Sequence, residues 1–378
     1  MGPLSGTTVI EIKGIGPGPY AGMLMADLGA DVIVVERAST PSGLGLPAQY
    51  EVTSRGKRSI ALDLKNPDGL ATLMRLIASA DVLIEGFRPG VAERLGFGPG
   101  DCHEINPALV YGRLTGWGQH GPLSQTAGHD INYIALIGAL AAIGTKAAPV
   151  PPLNLVGDYA GGSLFLVIGV LAALLVARQS GQGQVVDAAI TDGAAHLMSP
   201  FYGWHNAGGW QRTRETNIVD GGNYFYGVYE TSDGKHVAVG PLEPQFYAQF
   251  IELGGFDPAV FGQQAGPGDW AEKRALLAEQ FRTRTQQEWC ETFADSDACV
   301  APVLDFVEAT EHTHNVARET YIDLNGHKQP APAPRFSRSA CVTPAAPASE
   351  GGNSEDVLKA YGFSSDDIAA LRESGALS

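Results

Sequence analysis

The chain has 378 residues, 44% of them hydrophobic and 17% charged, with a formal net charge of −16. These proportions describe a globular protein long enough for two cores and exclude a disordered or low-complexity chain. The acidic balance argues against a nucleic-acid or anionic-membrane surface, although 25 basic residues can still gather around one anionic ligand.

The first ~190 residues alternate strand-like and helix-like segments, the pattern of a parallel sheet wrapped by helices. An alternating apolar stretch (Val9-Ile10-Glu11-Ile12) leads into the turn KGIGPGPY, a helical AGMLMADLGA and the strand DVIVVER. Next come RSIALDL, a helix around GLATLMRLIASA, the strand DVLIEGF, a helix near Val91 and the strand LVYGRLTGWG. A long helix is expected from Gly161 to Gln179, then the strand GQVVDAAI and a helix in TDGAAHLMSPFYGWHNAGG that runs into a linker. The longest apolar run, Leu164 to Ala177, is shorter than the ~18 residues of a membrane span, so a buried helix and no span are expected.

From about Asn217 the composition shifts to short alternating strands, with Asp233-Gly234 as a hairpin turn. Helices are expected from Pro244 to Glu252, near Ala271 to Gln280, and at about Ser354 to Tyr361 beyond a Pro-rich tether, Pro330 to Pro347. The domain reading is a large Rossmann-like domain over 1–200, a linker over 201–224, a smaller α+β domain over 225–320, and a segment, 321–378, that returns to the large domain.

Cys102, Cys290, Cys299 and Cys341 lack CxxC spacing, which predicts free thiols in a reducing, cytoplasmic compartment and neither a metal site nor a disulfide framework. No charged and apolar leader opens the chain and GALS is not a peroxisomal address, so no targeting segment is expected.

The opening turn has nearly the layout of a dinucleotide fingerprint: strand, glycine-rich turn, helix, strand, then Glu36. Gly14 and Gly16 fit it, but position 19 is proline where close helix–strand packing wants a third glycine. Arg37 also puts a cation where a ribose-binding acid should dominate. A tight turn into a helix, with proline tolerated in its first turn, is the better reading of these residues.

The opening PLSGTTVIEIKGIGPGPYAGMLMADLGADVIVVER resembles that of the class III CoA-transferase superfamily. The likeness continues through RGKRSIALDLK, VLIEGFRPGVAERLG, TGWGQHGPLSQTAGHDINY, PPLNLVGDYAGGS, GQVVDAAITDG, VGPLEPQFY, SDACVAPV and PAPRFSR, in order and over nearly the whole chain. Within the superfamily the chain is most similar to the branch that racemises 2-methylacyl-CoA thioesters. The resemblance implies a Rossmann-like sheet whose first turn serves another ligand, and an interlocked homodimer.

By residue type alone, His129 in GHDINY has small and polar neighbours that leave room for a ligand, and Asp158 in LNLVGDYAGGS suits either a helix N-terminus or an acid/base role. Glu243 in GPLEPQFY reads as a solvated helix start. The resemblance implies His129 as catalytic base, Asp158 as second acid/base, and Glu243 as the residue that hydrogen-bonds the histidine, from the other subunit. Removing and returning an α-proton on opposite faces of a planar enolate then needs no metal and no cofactor. Arg37, at a strand end, is the leading phosphate ligand. Leu62, Asp63, Leu64, Lys65, Gly86, Phe87 and Arg88 match segments that line adenine and ribose, Arg94 adds a guanidinium, and Gly128, His129, Asp130, Ile131, Asn132 and Tyr133 follow the pantetheine.

The alternative on the same fold is an acyl-CoA:carboxylate CoA-transferase with Asp158 as nucleophile. Such enzymes carry a glycine-rich loop in the small domain, where this sequence has GPLEPQFY, and they do not require His129.

Overall fold

The computed structural model describes residues 2–37, 46–264, 266–339 and 343–378. Cys341 and the centre of the Pro-rich tether lie outside the described residues. The chain forms two compact units, one of Met1–Ile137, Leu153–Leu197 and Ala317–Ser378, the other of Gly138–Pro152 and Met198–Val316. The second unit thus takes in the stretch expected as a linker, and also 138–152, a piece of the span expected for the large domain.

The first unit is built on a parallel sheet of β1 (Thr8–Ile12), β2 (Asp31–Glu36), β3 (Arg58–Ala61), β4 (Val82–Glu85), β5 (Val110–Thr115) and β6 (Val185–Ala189). Its order is β3-β2-β1-β4-β5-β6, so the winding reverses between β1 and β4. Alternation along the strands feeds two cores. Ile10, Ile33, Ile60 and Leu83 face one layer, whereas Val9, Val32, Val82 and Ile84 face the other. Open sheets of this kind bind ligands beyond the carboxyl ends of their strands at the reversal, which here means the loops that follow Ile12 and Glu85.

Helices cover both faces. α1 (Pro17–Asp27) starts with proline in its first turn after Gly16, whose φ of +69° favours glycine. α2 (Pro67–Ile77) is capped by Asn66, which accepts from Asp68 N–H at 2.9 Å. α3 (Val91–Leu95) and α4 (Pro99–Ile105) lead into β5, and α5 (Asp130–Leu136) follows the long loop after it.

The expected long helix begins earlier than Gly161. A π-helical run, Leu155–Leu164, continues directly into an α-helix, Phe165–Ser180. Together they span 26 residues, long and apolar enough to cross a membrane, but half of the most apolar stretch is buried inside the protein. The sequence count fell short because it took only the uninterrupted apolar run and missed the glycine-rich first turns.

Strands β7 (Gly227–Glu230), β8 (His236–Val239) and β9 (Val300–Pro302) form the antiparallel sheet of the second unit. Thr231 N–H reaches Lys235 O at 2.9 Å across the expected Asp233-Gly234 turn. Helices Pro244–Gly254, Trp270–Phe281 and Gln286–Thr292 surround an aromatic core that includes Tyr247, Phe250, Phe281 and Trp289. In the first unit the C-terminal segment adds a hairpin, β10 (Tyr321–Leu324) and β11 (His327–Pro330), and helices Ser354–Ala360 and Ser365–Glu373. Val357, Leu358, Ile368 and Leu377 enter the same core as β3.

Candidate active site

Three loops of the first unit converge on Asp158. The opening turn brings Gly16 so close that a β-carbon there would stand 3.4 Å from Asp158 Oδ2. Ser163, in the π-helical run, donates its hydroxyl to Pro17 O at 2.7 Å, and Tyr20 and Tyr159 pack with ring centres 4.8 Å apart. The glycine-rich turn is therefore a wall of a site centred on a carboxylate.

His129 is the N-cap of α5, in extended backbone, with its N–H donating to Asn132 Oδ1 at 3.1 Å and its side chain exposed. Asp130 begins the helix and is buried, 5% exposed, with Oδ2 accepting Asp158 N–H at 2.7 Å. One backbone step thus places the histidine outward and the aspartate inward, and ties α5 to the π-helical run. Asn154 donates to Asp158 Oδ2 at 3.2 Å. Burial raises the Asp158 carboxyl above the usual aspartate range and the Asp130 charge adds to the rise, while the Asn154 hydrogen bond and the nearby His129 pull against it.

Tyr133 stabilises the loop behind His129. Its hydroxyl donates to Gly128 O, and its ring meets Trp117 edge-on at 4.8 Å. A side chain at Gly128 would press into both rings, which is why glycine precedes the histidine. Beside it, Trp117, Leu123, Thr126, Ala127, Asn132, Ala135 and Leu136 line an open, mainly apolar cleft of about 500 Å³.

The residues expected to grip CoA occupy different environments. Arg37, Lys65, Arg88 and Arg94 are exposed, each just beyond a strand's carboxyl end or on the helix after it. Gly86 and Ile131 are exposed too, while Phe87 packs partly into the core, 6.2 Å from the Phe97 ring. Leu62 differs from the expectation in one respect: it is 1% exposed and its side chain belongs to the core, so the side chain is not offered to a ligand. Asp63 N–H donates to Ala376 O, Asp63 Oδ1 accepts Lys65 N–H, and Leu64 packs against the core, so this loop seats the C-terminus. Glu243 lies exposed in the second unit as the N-cap of the helix Pro244–Gly254. Among the described residues no cluster of metal-ligating side chains occurs.

Sequence reasoning missed a clamp behind the Gly86–Arg88 turn. Arg113 on β5 is in register with Glu85, the last residue of β4, and Nε donates to Glu85 Oε1 at 2.8 Å. Its two terminal nitrogens hold Glu93 of α3 at 2.8 and 3.2 Å. The other Glu85 oxygen accepts Phe87 N–H at 2.6 Å and fixes the turn that carries Arg88. Burial pushes the Glu85 carboxyl up, opposed by the Phe87 hydrogen bond and the Arg113 guanidinium. The sequence signal was a lone charge in each of two apolar strands.

Glu36, the acid of the apparent dinucleotide fingerprint, is also committed elsewhere. It accepts from the Ser59 hydroxyl and pairs with Lys13 at 3.4 Å.

A sheet of this order, with exposed cations beyond the carboxyl ends of its strands, defines an α/β protein of the open, doubly wound kind. The chain matches CoA-transferase family III over residues 4–351 and belongs to that family. It is 44% identical to alpha-methylacyl-CoA racemase of Mus musculus, over 97% of this chain and 96% of that protein. It is 41% identical to the Homo sapiens protein of the same name, again over 97% and 96%. The fold is also that of a CaiB/BaiF family protein from Brucella suis, with a TM-score of 0.82, 24% identity, and 95% of this chain and 99% of that one covered.

Proposed function

We propose that this chain is an acyl-CoA racemase that interconverts (R)- and (S)-2-methylacyl-CoA thioesters through proton removal and return at the α-carbon. The observation that carries the reading is the convergence of His129 and Asp158 at the start of α5 and the π-helical run, in a chain whose relatives over nearly its full length are so named. A thioester carbonyl delocalises the α-carbanion as an enolate, so two acid/base groups on opposite faces suffice, without metal or cofactor. Each such group typically contributes ~10²–10⁴-fold in rate. His129 serves one face and Asp158 the other; burial keeps part of the Asp158 population protonated at higher pH than an exposed aspartate, which suits a group that must both give and take a proton.

Arg37, Lys65, Arg88 and Arg94 are read as the cations for the CoA phosphates, and the loop Gly128–Tyr133 as the pantetheine path. The active form is read as a homodimer in which Glu243 of one protomer orients His129 of its partner. An apolar stripe on the long helix supports a second copy: Leu164, Ile168, Leu175 and Val176 are exposed by 42–64% at helical spacing. Cys102, Cys290 and Cys299 are free thiols, which suits the expected cytoplasmic location.

The test is incubation of a single 2-methylacyl-CoA enantiomer in deuterated water, with and without an added carboxylate. Deuterium at C2 together with loss of optical purity supports racemisation. CoA on the added carboxylate, with C2 unlabelled, would refute it and favour Asp158 as a nucleophile. His129→Ala and Asp158→Ala should each abolish racemisation yet keep residual exchange, with opposite enantiomer preference.

A further inference from the structure

The Asp130 carboxylate has no part in the chemistry described so far, yet it is the most deeply buried acid beside it. At 5% exposure it gives Oδ2 to the Asp158 amide at 2.7 Å, while Oδ1 is buried without a hydrogen-bond partner among the described residues. An unpartnered buried carboxylate oxygen is costly. The surroundings are also shaped to accept it. A β-carbon on Gly157 would collide with Asp130 Oδ2 and press on Ile134, so glycine before Asp158 is what lets the carboxylate approach. Asp130 stands in the first turn of α5, where the helix dipole favours negative charge.

We propose that Asp130 is a positioning residue for the proton exchange, fixing the Asp158 backbone and holding its own carboxylate against that of Asp158. This inference rests on the racemase reading. Uniting the two proton-transfer groups through a single carboxylate explains why the histidine and this aspartate are adjacent: α5 cannot carry one into the site without the other.

The charge has a chemical use. Negative charge next to Asp158 opposes its ionisation and so favours its action as an acid, in line with the upward direction of its carboxyl. The other groups that face Asp158 are few. Asn154 donates a hydrogen bond, His129 acts against Asp130, and the Tyr133 phenol is itself raised by burial and the Asp158 charge. The Gly14–Gly16 turn brings no charge, and Tyr20 packs on Tyr159. On the helix Ile190–Leu197 packed against the π-helical run, Asp192 is exposed and His196 lies edge-on to Phe165.

Asp130→Asn separates a positioning charge from mere structure, because the amide oxygen can still accept the Asp158 N–H. Two readouts are needed. The first is the pH dependence of kcat/KM for each enantiomer: the limb set by Asp158, acidic where it takes the proton and alkaline where it gives one, should move to lower pH in the variant. The second is carboxyl ¹³C NMR of aspartate-labelled protein, with Asp158→Asn supplying the assignment, in which Asp158 should also titrate at lower pH in Asp130→Asn. Asp130→Ala, which removes the acceptor as well, should lose about 10–100-fold in kcat, the scale of an ångström of misplacement. An unmoved Asp158 titration in a folded Asp130→Asn overturns the proposal. Failure of the wild type to exchange the α-hydrogen would overturn the racemase reading instead, and the NMR titration would still decide the role of Asp130.

Discussion

Replacing Arg113 by methionine keeps most of the side-chain length and removes the cation that links β5, β4 and α3. The cost divides unequally. Glu93 is 44% exposed in its side chain, so losing that partner should cost at most about 1 kcal/mol. Glu85 is fully buried and would keep the Phe87 amide as its remaining hydrogen-bond donor in the clamp, and where it stays ionised the loss of its partner costs about 3–5 kcal/mol. Without the guanidinium the Glu85 carboxyl, already raised by burial, moves further up. The folded variant then holds a proton that the unfolded chain releases above about pH 4.3, the ordinary glutamate value, so its stability falls as pH rises toward the folded value. The deficit against the wild type should therefore be smallest near pH 5 and grow toward pH 7–8. Urea unfolding of both proteins across this range measures it, and Glu85→Gln in the Arg113→Met background should recover part of the loss at neutral pH. A deficit below about 1 kcal/mol, or one that does not change with pH, would refute the argument that Glu85 is a buried charge held by Arg113.

Arg37→Ala should raise KM for the acyl-CoA and leave kcat nearly unchanged, because a phosphate contact is made equally in ground and transition states; a defect confined to kcat in steady-state assays would place Arg37 elsewhere. Gly157→Ala should cost about 1–3 kcal/mol by forcing a side chain against Asp130, with loss of activity at temperatures where the variant is still folded, and equal thermal stability and turnover to wild type would contradict the packing argument. Ile168→Glu places a charge in the exposed apolar stripe, and sedimentation should show weakened self-association with falling activity; an unchanged dimer would remove that face from the interface.

Much of the fold can be read locally. β1 through β6, the turn at Gly16 and the Asp233-Gly234 hairpin follow from side-chain alternation, glycine conformational freedom and turn chemistry, each set by residues within a few positions of one another. His129 and Asp158 are legible as residue types in motifs, and the exposed cations as strand-end charges. Strand register, by contrast, is a tertiary property. That Glu85 meets Arg113, and that Leu62 turns into the core while Lys65 stays in solvent, depend on how separate segments pair. The π-helical run likewise has no sequence period of its own: the wider turn at Leu155–Leu164 is sustained by Gly161 against Ala194, Ser163 on Pro17 and Asp130 on the Asp158 amide. The sequence alone thus determined which titratable groups the motifs carry. Packing between segments far apart in the chain decided which carboxylate is buried and which of those groups share a site, because burial and charge–charge distance are set only once the layers close.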